Sequence, residues 1–198
     1  MLTDCHTHLD GYDDFEIRNV IRRAQEECVG IILAAGSNLE RSRTAIRIAE
    51  TYPQVWAGVG VHPMRITEPL SEEEIQLPWQ LAESSPRVAH ISETGLDFME
   101  ARGPREAQIQ AFREQIRLAR RLHLPLVYHD RGAHDETLQI LKEEKADEVG
   151  AVMHYFQGPD EVAWRCVDLG FYISVGRPIT RNEALQDTVR RLPLDHLL

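Results

Sequence analysis

The sequence predicts an α/β fold, a TIM-like (β/α) barrel of seven βα units with an eighth strand cut short. Two observations predict it. Short β-branched apolar runs alternate with amphipathic segments of helical period along the whole chain. Six strand–helix–strand crossovers in succession imply a parallel sheet, and this number favours a barrel over a split fold. The 198 residues suit a single domain, so we predict one barrel domain over residues 1–198, incomplete at its C-terminal end.

The predicted strands are short, apolar and rich in β-branched residues. In chain order they are Leu2–His6, Gly30–Ala34, Val55–Val61, Val88–Glu93, Pro125–His129, Ala151–His154 and Phe171–Val175. Between them, segments such as Glu106–Leu122 place apolar residues at helical spacing. Ser71, with Glu74 three positions later, predicts a capping box at a helix start. The last six residues, Pro193–Leu198, predict the entry to an eighth strand.

The composition is that of a globular protein, with 42% hydrophobic and 27% charged residues. No apolar run has the length of a membrane span, and the three scattered cysteines favour free thiols, so we expect a cytoplasmic protein without membrane partners. The net charge of −10 argues against a protein that coats nucleic acid electrostatically. It does not exclude an enzyme acting on nucleic acid, because bound divalent cations offset that charge locally. One arginine run is predicted to be a solvated helix face, namely Arg113, Arg117, Arg120 and Arg121.

Possible metal ligands stand at the ends of four predicted strands. His6 and His8 alternate along the first strand and therefore face the same side. Glu93, His129 and His154 close the fourth, fifth and sixth strands. The C-terminal strand ends of a (β/α) barrel form its active-site mouth, so these side chains should converge. A single histidine there is commonly structural, but the combination favours a metal site. Five nitrogen and oxygen ligands exceed the need of one ion, and we predict two divalent ions (Mg, Mn or Zn) bridged by Glu93.

Five sequence blocks resemble the motifs of a known family, the TatD metal-dependent deoxyribonucleases of the amidohydrolase-like barrel superfamily. The blocks occur in order over nearly the whole chain: Asp4–Asp10, Gly60–Pro63, Ile91–Asp97, Val127–Arg131 and Met153–Gly158. The resemblance implies a metal-dependent deoxyribonuclease. It also implies one ion held by His6, His8 and Glu93, and a second held by Glu93, His129 and His154.

The chain departs from the family pattern at three points. Ser92 stands where the family usually has glycine, and Asp130 stands where it usually has serine. The family also follows its eighth strand with Glu-Thr-Asp, whose aspartate binds the first ion and handles the water proton, whereas this chain ends before that point. Asp195 is no substitute, because it precedes the strand and should lie at the opposite barrel end. We therefore expect weakened activity, and an open barrel edge that invites self-association.

Three residues are the candidates for catalysis: Glu93, Arg131 and His62. We predict that Arg131 contacts the scissile or a neighbouring phosphate through its planar fork, or else forms a structural salt bridge. His62 either faces the substrate, as the resemblance implies, or serves only a His-Pro turn. Asp97 and Asp10 each either orient a ligand histidine or cap a following segment.

The sequence thus predicts a metal-dependent hydrolase that cleaves phosphodiester bonds of DNA, single-stranded DNA in particular, as an exonuclease. Two other functions stay open. The first is a related hydrolase of a small ester, amide or phosphomonoester, since barrels host many chemistries. The second is a metal-binding or partner-binding protein without turnover, suggested by the missing carboxylate.

Overall fold

The computed structural model describes all residues from 1 to 198, and its centre is a curled sheet of seven parallel strands. The strands neighbour one another in chain order, as a half-barrel, which confirms the predicted (β/α) barrel architecture. They are β1 (Leu2–Thr7), β2 (Val29–Ala34), β3 (Val55–Val59), β4 (Val88–Asp97), β5 (Leu126–Arg131), β6 (Ala151–Met153) and β7 (Tyr172–Ile173).

One α-helix lies in each of the six crossovers between neighbouring strands, and a seventh follows the last strand. The helices are α1 (Asp14–Glu26), α2 (Leu39–Thr51), α3 (Glu72–Glu83), α4 (Arg105–Leu122), α5 (His134–Glu143), α6 (Asp160–Asp168) and α7 (Glu183–Arg191). The predicted capping box is confirmed, since the Ser71 side chain accepts from the Glu74 backbone and the Glu74 carboxylate accepts in return.

A single large hydrophobic core fills the space between the sheet and its helices. Nearly every residue of β4 is buried, as expected for an inner strand of a parallel sheet covered by helices. Phe112 and Ile116 of α4 are fully buried, and the ring centroid of Phe112 lies 6.5 Å from that of Tyr128 on β5. This packing stabilises β4 and β5, the two strands that carry the predicted ligands Glu93 and His129.

The ends of β4 and β5 differ from the predicted ones. β4 continues past Glu93 to Asp97, and β5 continues past His129 to Arg131. The physical reason is pairing: after a register irregularity, the last four residues of β4 pair with β5 up to Asp97 and Arg131. Glu93 therefore lies within β4 at the irregularity, where its backbone N–H donates to the Gly36 carbonyl, and His129 lies within β5 opposite Gly95.

Two other predicted strand ends shift by one residue, that of β1 later and that of β6 earlier. β1 ends at Thr7 and β6 ends at Met153, so His8 and His154 lie directly after their strands. β3 ends at Val59, two residues earlier than predicted. β7 is also shorter than predicted, because it pairs with β6 over only two residues, Tyr172 and Ile173.

The C-terminal segment, predicted as the entry to an eighth strand, pairs with β7 at one isolated bridge. Leu197 forms a parallel bridge with Ile173 of β7, and the Leu198 N–H donates to the Ile173 carbonyl at 2.9 Å. Asp195 lies in the short helical turn before this bridge, away from the C-terminal mouth of the sheet. β1 pairs with β2 alone. None of the helices combines the length and the apolar character that crossing a membrane requires.

Candidate metal centre

Glu93 is the centre of a histidine cluster at the mouth of the half-barrel. Its side chain is 5% exposed, and its two carboxylate oxygens face different histidines. On one side, Oε2 lies 3.2 Å from Nε2 of His8 and 3.7 Å from Nε2 of His6. The two histidine Nε2 atoms are themselves 3.4 Å apart, which agrees with the prediction that they face the same side.

The other carboxylate oxygen of Glu93 faces three further histidines. Oε1 lies 2.6 Å from Nε2 of His154 and 3.2 Å from Nε2 of His62. It also lies 3.7 Å from Nδ1 of His129. All five predicted ligands therefore converge on one point, and His62 joins them.

The cluster divides into two groups that could each hold an ion, with Glu93 in both. One group is His6, His8 and Glu93, and the other is His62, Glu93 and His129, with all donor atoms of a group within 4.8 Å of one another. The first group is the predicted one. The second contains His62 where the sequence prediction placed His154, although His154 remains in contact with Glu93.

The donor chemistry fits divalent cations. Burial, followed by the neighbouring imidazole of His154, lowers the pKa of His6 to about 2, so this imidazole is neutral and offers a lone pair at neutral pH. Burial alone would raise the pKa of Glu93, but hydrogen bonds from His154, His62 and His8 outweigh it and hold the pKa well below its usual value. A buried carboxylate surrounded by imidazoles, with no sulfur ligand, is a set typical of zinc and manganese sites.

Asp97 positions one of these histidines from behind. Its fully buried Oδ2 lies 3.0 Å from Nε2 of His129, which leaves Nδ1 of the same ring facing Glu93. Its Oδ1 accepts the backbone N–H groups of Met99 and Glu100 at 3.0 and 2.7 Å. Asp97 thus orients a candidate ligand and also fixes the turn after β4.

Asp10 stands in a similar place behind His8. Its buried Oδ1 lies 3.7 Å from Nδ1 of His8, while Oδ2 forms an ion pair with Nη1 of Arg41 at 3.0 Å. Arg41 therefore holds the carboxylate next to the histidine.

Comparison with known proteins identifies the group to which this site belongs. The family model described as "TatD related DNase" matches residues 3–198. The chain belongs to the TatD family. It is a metal-dependent hydrolase acting on ester bonds, and the resemblance seen in the sequence motifs is confirmed.

Individual TatD relatives agree over most of the chain. The uncharacterized metal-dependent hydrolase YabD of Bacillus subtilis is 36% identical over 201 residues, covering all of this chain and 78% of that protein. The 3'-5' ssDNA/RNA exonuclease TatD of Salmonella typhimurium is 35% identical over 159 residues, covering 79% of this chain and 60% of that protein. The crystal structure of YjjV, a TatD homolog from Escherichia coli, superposes with a TM-score of 0.90 at 32% identity, covering all of this chain and 77% of that one.

A cavity of about 440 Å³ opens beside the cluster of this TatD protein. Arg131 lines it, with its Nη1 atom 2.5 Å from Oε2 of Glu100 and 41% of its side chain exposed. The predicted salt bridge is therefore present, and the guanidinium also borders the cavity. His62 takes part in the His-Pro turn, where its Nδ1 accepts the Met64 N–H at 3.1 Å, while its Nε2 faces Glu93.

The sequence prediction missed the pair Asp130 and His134, which also lines this cavity. Oδ2 of Asp130 lies 2.9 Å from Nδ1 of His134, and the carboxylate is fully buried. The four-residue spacing was the available signal, but only the structure shows that the pair spans the end of β5 and the start of α5.

The arginine run on α4 is a solvated helix face, as predicted, and lies in ion pairs rather than at the site. Arg113, Arg117 and Arg120 pair with glutamates of α5 and the turn after it. Arg121 stacks its guanidinium 3.4 Å above the ring centroid of Trp79.

Proposed function

We propose that this chain hydrolyses phosphodiester bonds of nucleic acid, single-stranded DNA in particular, using two divalent ions held on either side of Glu93. The observation that carries the proposal is the pair of donor groups that share this one buried carboxylate. Two ions a few ångströms apart suit the displacement of one phosphate oxygen by another. The relative from Salmonella typhimurium, named for ssDNA and RNA, supports a nucleic acid substrate.

Each of the proposed ions has a defined set of protein ligands. His6, His8 and Glu93 would hold the first ion, and Glu93 and His129 would hold the second, together with His62 or His154. Bound there, the ions would supply Lewis acidity toward the phosphoryl group and its attacking water.

The chain's own side chains prepare the site for this chemistry. Glu93 stays ionised and His6 stays neutral, so both present lone pairs to cations at neutral pH. Asp97 keeps His129 in one tautomer and orientation. We propose that Arg131 exchanges its exposed salt bridge with Glu100 for a substrate phosphate, since such surface pairs contribute little stability.

We also propose that the enzyme removes nucleotides from a strand end, as an exonuclease. A 5'-labelled and a 3'-labelled single-stranded oligonucleotide, each incubated with Mg²⁺, Mn²⁺ or Zn²⁺, test this directly. Stepwise shortening from one end supports the proposal, and internal fragments in the first minutes contradict it.

A substrate panel tests the choice of substrate. Single-stranded DNA, a phosphomonoester, a carboxylic ester and a lactone are compared under the same metal conditions. The proposal expects DNA to have the highest kcat/KM. Preference for a small ester would identify the alternative hydrolase, and metal binding with no turnover of any compound would identify a non-catalytic binding protein.

A further inference from the structure

Two depressions flank Glu93 and share its surroundings. Both are lined by His8, His62, Met64 and Glu93. The first depression, which Arg41 and Arg65 also line, extends over the segments that follow β2 and β3. The second is the cavity of about 440 Å³ described above, and it extends over the segments that follow β5 and β6. Because β4 lies between these strand pairs, the two depressions occupy opposite flanks of the carboxylate. Because they share these lining residues, the two depressions adjoin at the proposed metal centre.

Two arginines line the first flank, and their charges are used differently. Arg41 forms the ion pair with buried Asp10, so its charge is already engaged in holding His8. Arg65 is exposed, follows the His-Pro turn and has no carboxylate within salt-bridge distance. Arg65 is therefore the free cation on this flank.

A histidine held by a buried carboxylate lines the second flank. Nδ1 of His134 is engaged with Asp130, while Nε2 of the same ring has no partner within the protein. The imidazole is 30% exposed, and Asp130 is fully buried behind it. The hydrogen bond to Asp130, and then the charges of Asp130 and Asp135, raise the pKa of His134 against burial and the charge of Arg165. While Nδ1 donates to Asp130, Nε2 carries a second N–H only in the protonated ring, which is the form that Asp130 favours; this form presents a cationic donor at the cavity wall.

We propose that Arg65 and His134 are phosphate contacts on opposite sides of the scissile phosphodiester. This rests on the proposed function and specifies its substrate: a strand with a phosphate both before and after the bond that is cut. A small diester lacks these flanking charges and gains nothing from either residue. Each contact acts on the flanking backbone and carries no base specificity.

Binding measured without turnover is the first test. The affinity for a fluorescent single-stranded oligonucleotide is measured at a series of salt concentrations in the presence of a metal chelator. Each phosphate contact to a single strand adds about 0.7 to the slope of log affinity against log salt concentration. At about pH 6, below the ordinary imidazole pKa of about 6.5, Arg65→Gln and His134→Gln should each reduce the slope by about that amount, and the double variant by twice as much. The controls Arg18→Gln and His123→Gln change exposed residues outside both depressions and should match the wild type. Slopes unchanged by both site variants overturn the proposal.

Neutral linkages then assign each contact to its side. Methylphosphonate placed before or after the cleaved bond should raise KM for the wild type about tenfold, which corresponds to 1.4 kcal/mol. Arg65→Gln should abolish this rise in KM for the methylphosphonate on one side of the cleaved bond only. His134→Gln should abolish it for the methylphosphonate on the other side only. The small diester bis(p-nitrophenyl) phosphate should be cleaved equally by wild type and variants. Loss of the response on the same side by both variants contradicts the proposal.

The two proposals fail in different ways. If the wild type with metal cleaves neither DNA nor the small diester, the hydrolase function proposed above is wrong, while the salt slopes still decide the two contacts. If the wild type cleaves DNA but both variants keep its salt slope and its KM, only the flanking contacts are wrong.

Discussion

At the residue scale, the proposed metal centre depends on Glu93, because this carboxylate contacts every histidine of the cluster. Glu93→Gln removes the shared anion, so both donor groups lose their charged ligand. We expect metal affinity and nucleotide release to fall by about a hundredfold or more. Metal analysis after dialysis, with release of nucleotides from single-stranded DNA, measures both. Glu50→Gln, on the exposed face of α2, is the control; a Glu93→Gln protein with normal metal content would contradict the bridging role.

A second residue-scale prediction concerns the pKa of His134. Because Asp130 raises this pKa, Asp130→Asn should lower it toward the ordinary value near 6.5. The pair stabilises the fold fully below the unfolded-state pKa, and this contribution is lost as pH rises through the higher folded-state value. An NMR titration of the His134 ring in both proteins checks the direction. Equal pKa values would show that Asp130 does not act on the imidazole.

The sequence predicted much at this scale, but only for residues whose neighbours are set by strand geometry. His6 and His8 could be paired in advance because alternate residues of a strand share a face. The approach of His62 to Glu93 could not be predicted, because it depends on how the turn at Pro63 directs the chain after β3. The pairing of His134 was equally hidden, since it joins a strand end to the first turn of a helix.

At the element scale, β4 has a glycine that its pairing with β5 requires. Gly95 has φ of +120°, and a Cβ at this position would fall within the contact distance of the His129 carbonyl oxygen. Gly95→Ala should therefore destabilise the protein by about 2 kcal/mol or more. Urea unfolding measures this, with Gly11→Ala as control because nothing lies within 4 Å of its Cβ position. An equal loss of unfolding free energy in both variants would contradict the close approach of the His129 carbonyl oxygen to Gly95.

The same strand shows where prediction from sequence stops. Val88 to Glu93 has the apolar character of a buried strand, but Thr94-Gly95 has the character of a turn. The structure continues the strand through both residues because β5 supplies backbone partners up to Asp97. Such long-range pairing has no local signal, so strand number and order were predictable while strand ends were not.

At the scale of the whole molecule, one edge of β1 has no partner strand within the chain. Leu2 on this strand is 61% exposed, and unpaired strand edges with apolar side chains favour association. We predict concentration-dependent association of the 198-residue chain, weakened in Leu2→Lys. Light scattering after size exclusion measures the mass across concentrations. A monomer at every concentration would contradict this prediction.

In the proposed mechanism two ions act together at the Glu93 cluster, and this can be checked by measuring the metal content of the protein alongside its activity. The purified chain is loaded with Mg²⁺, Mn²⁺ or Zn²⁺, its bound metal is counted, and nucleotide release from single-stranded DNA is followed. We expect two ions per chain and turnover that disappears in His129→Ala. A fully loaded protein that releases no nucleotides, or one that never binds a second ion, would contradict it.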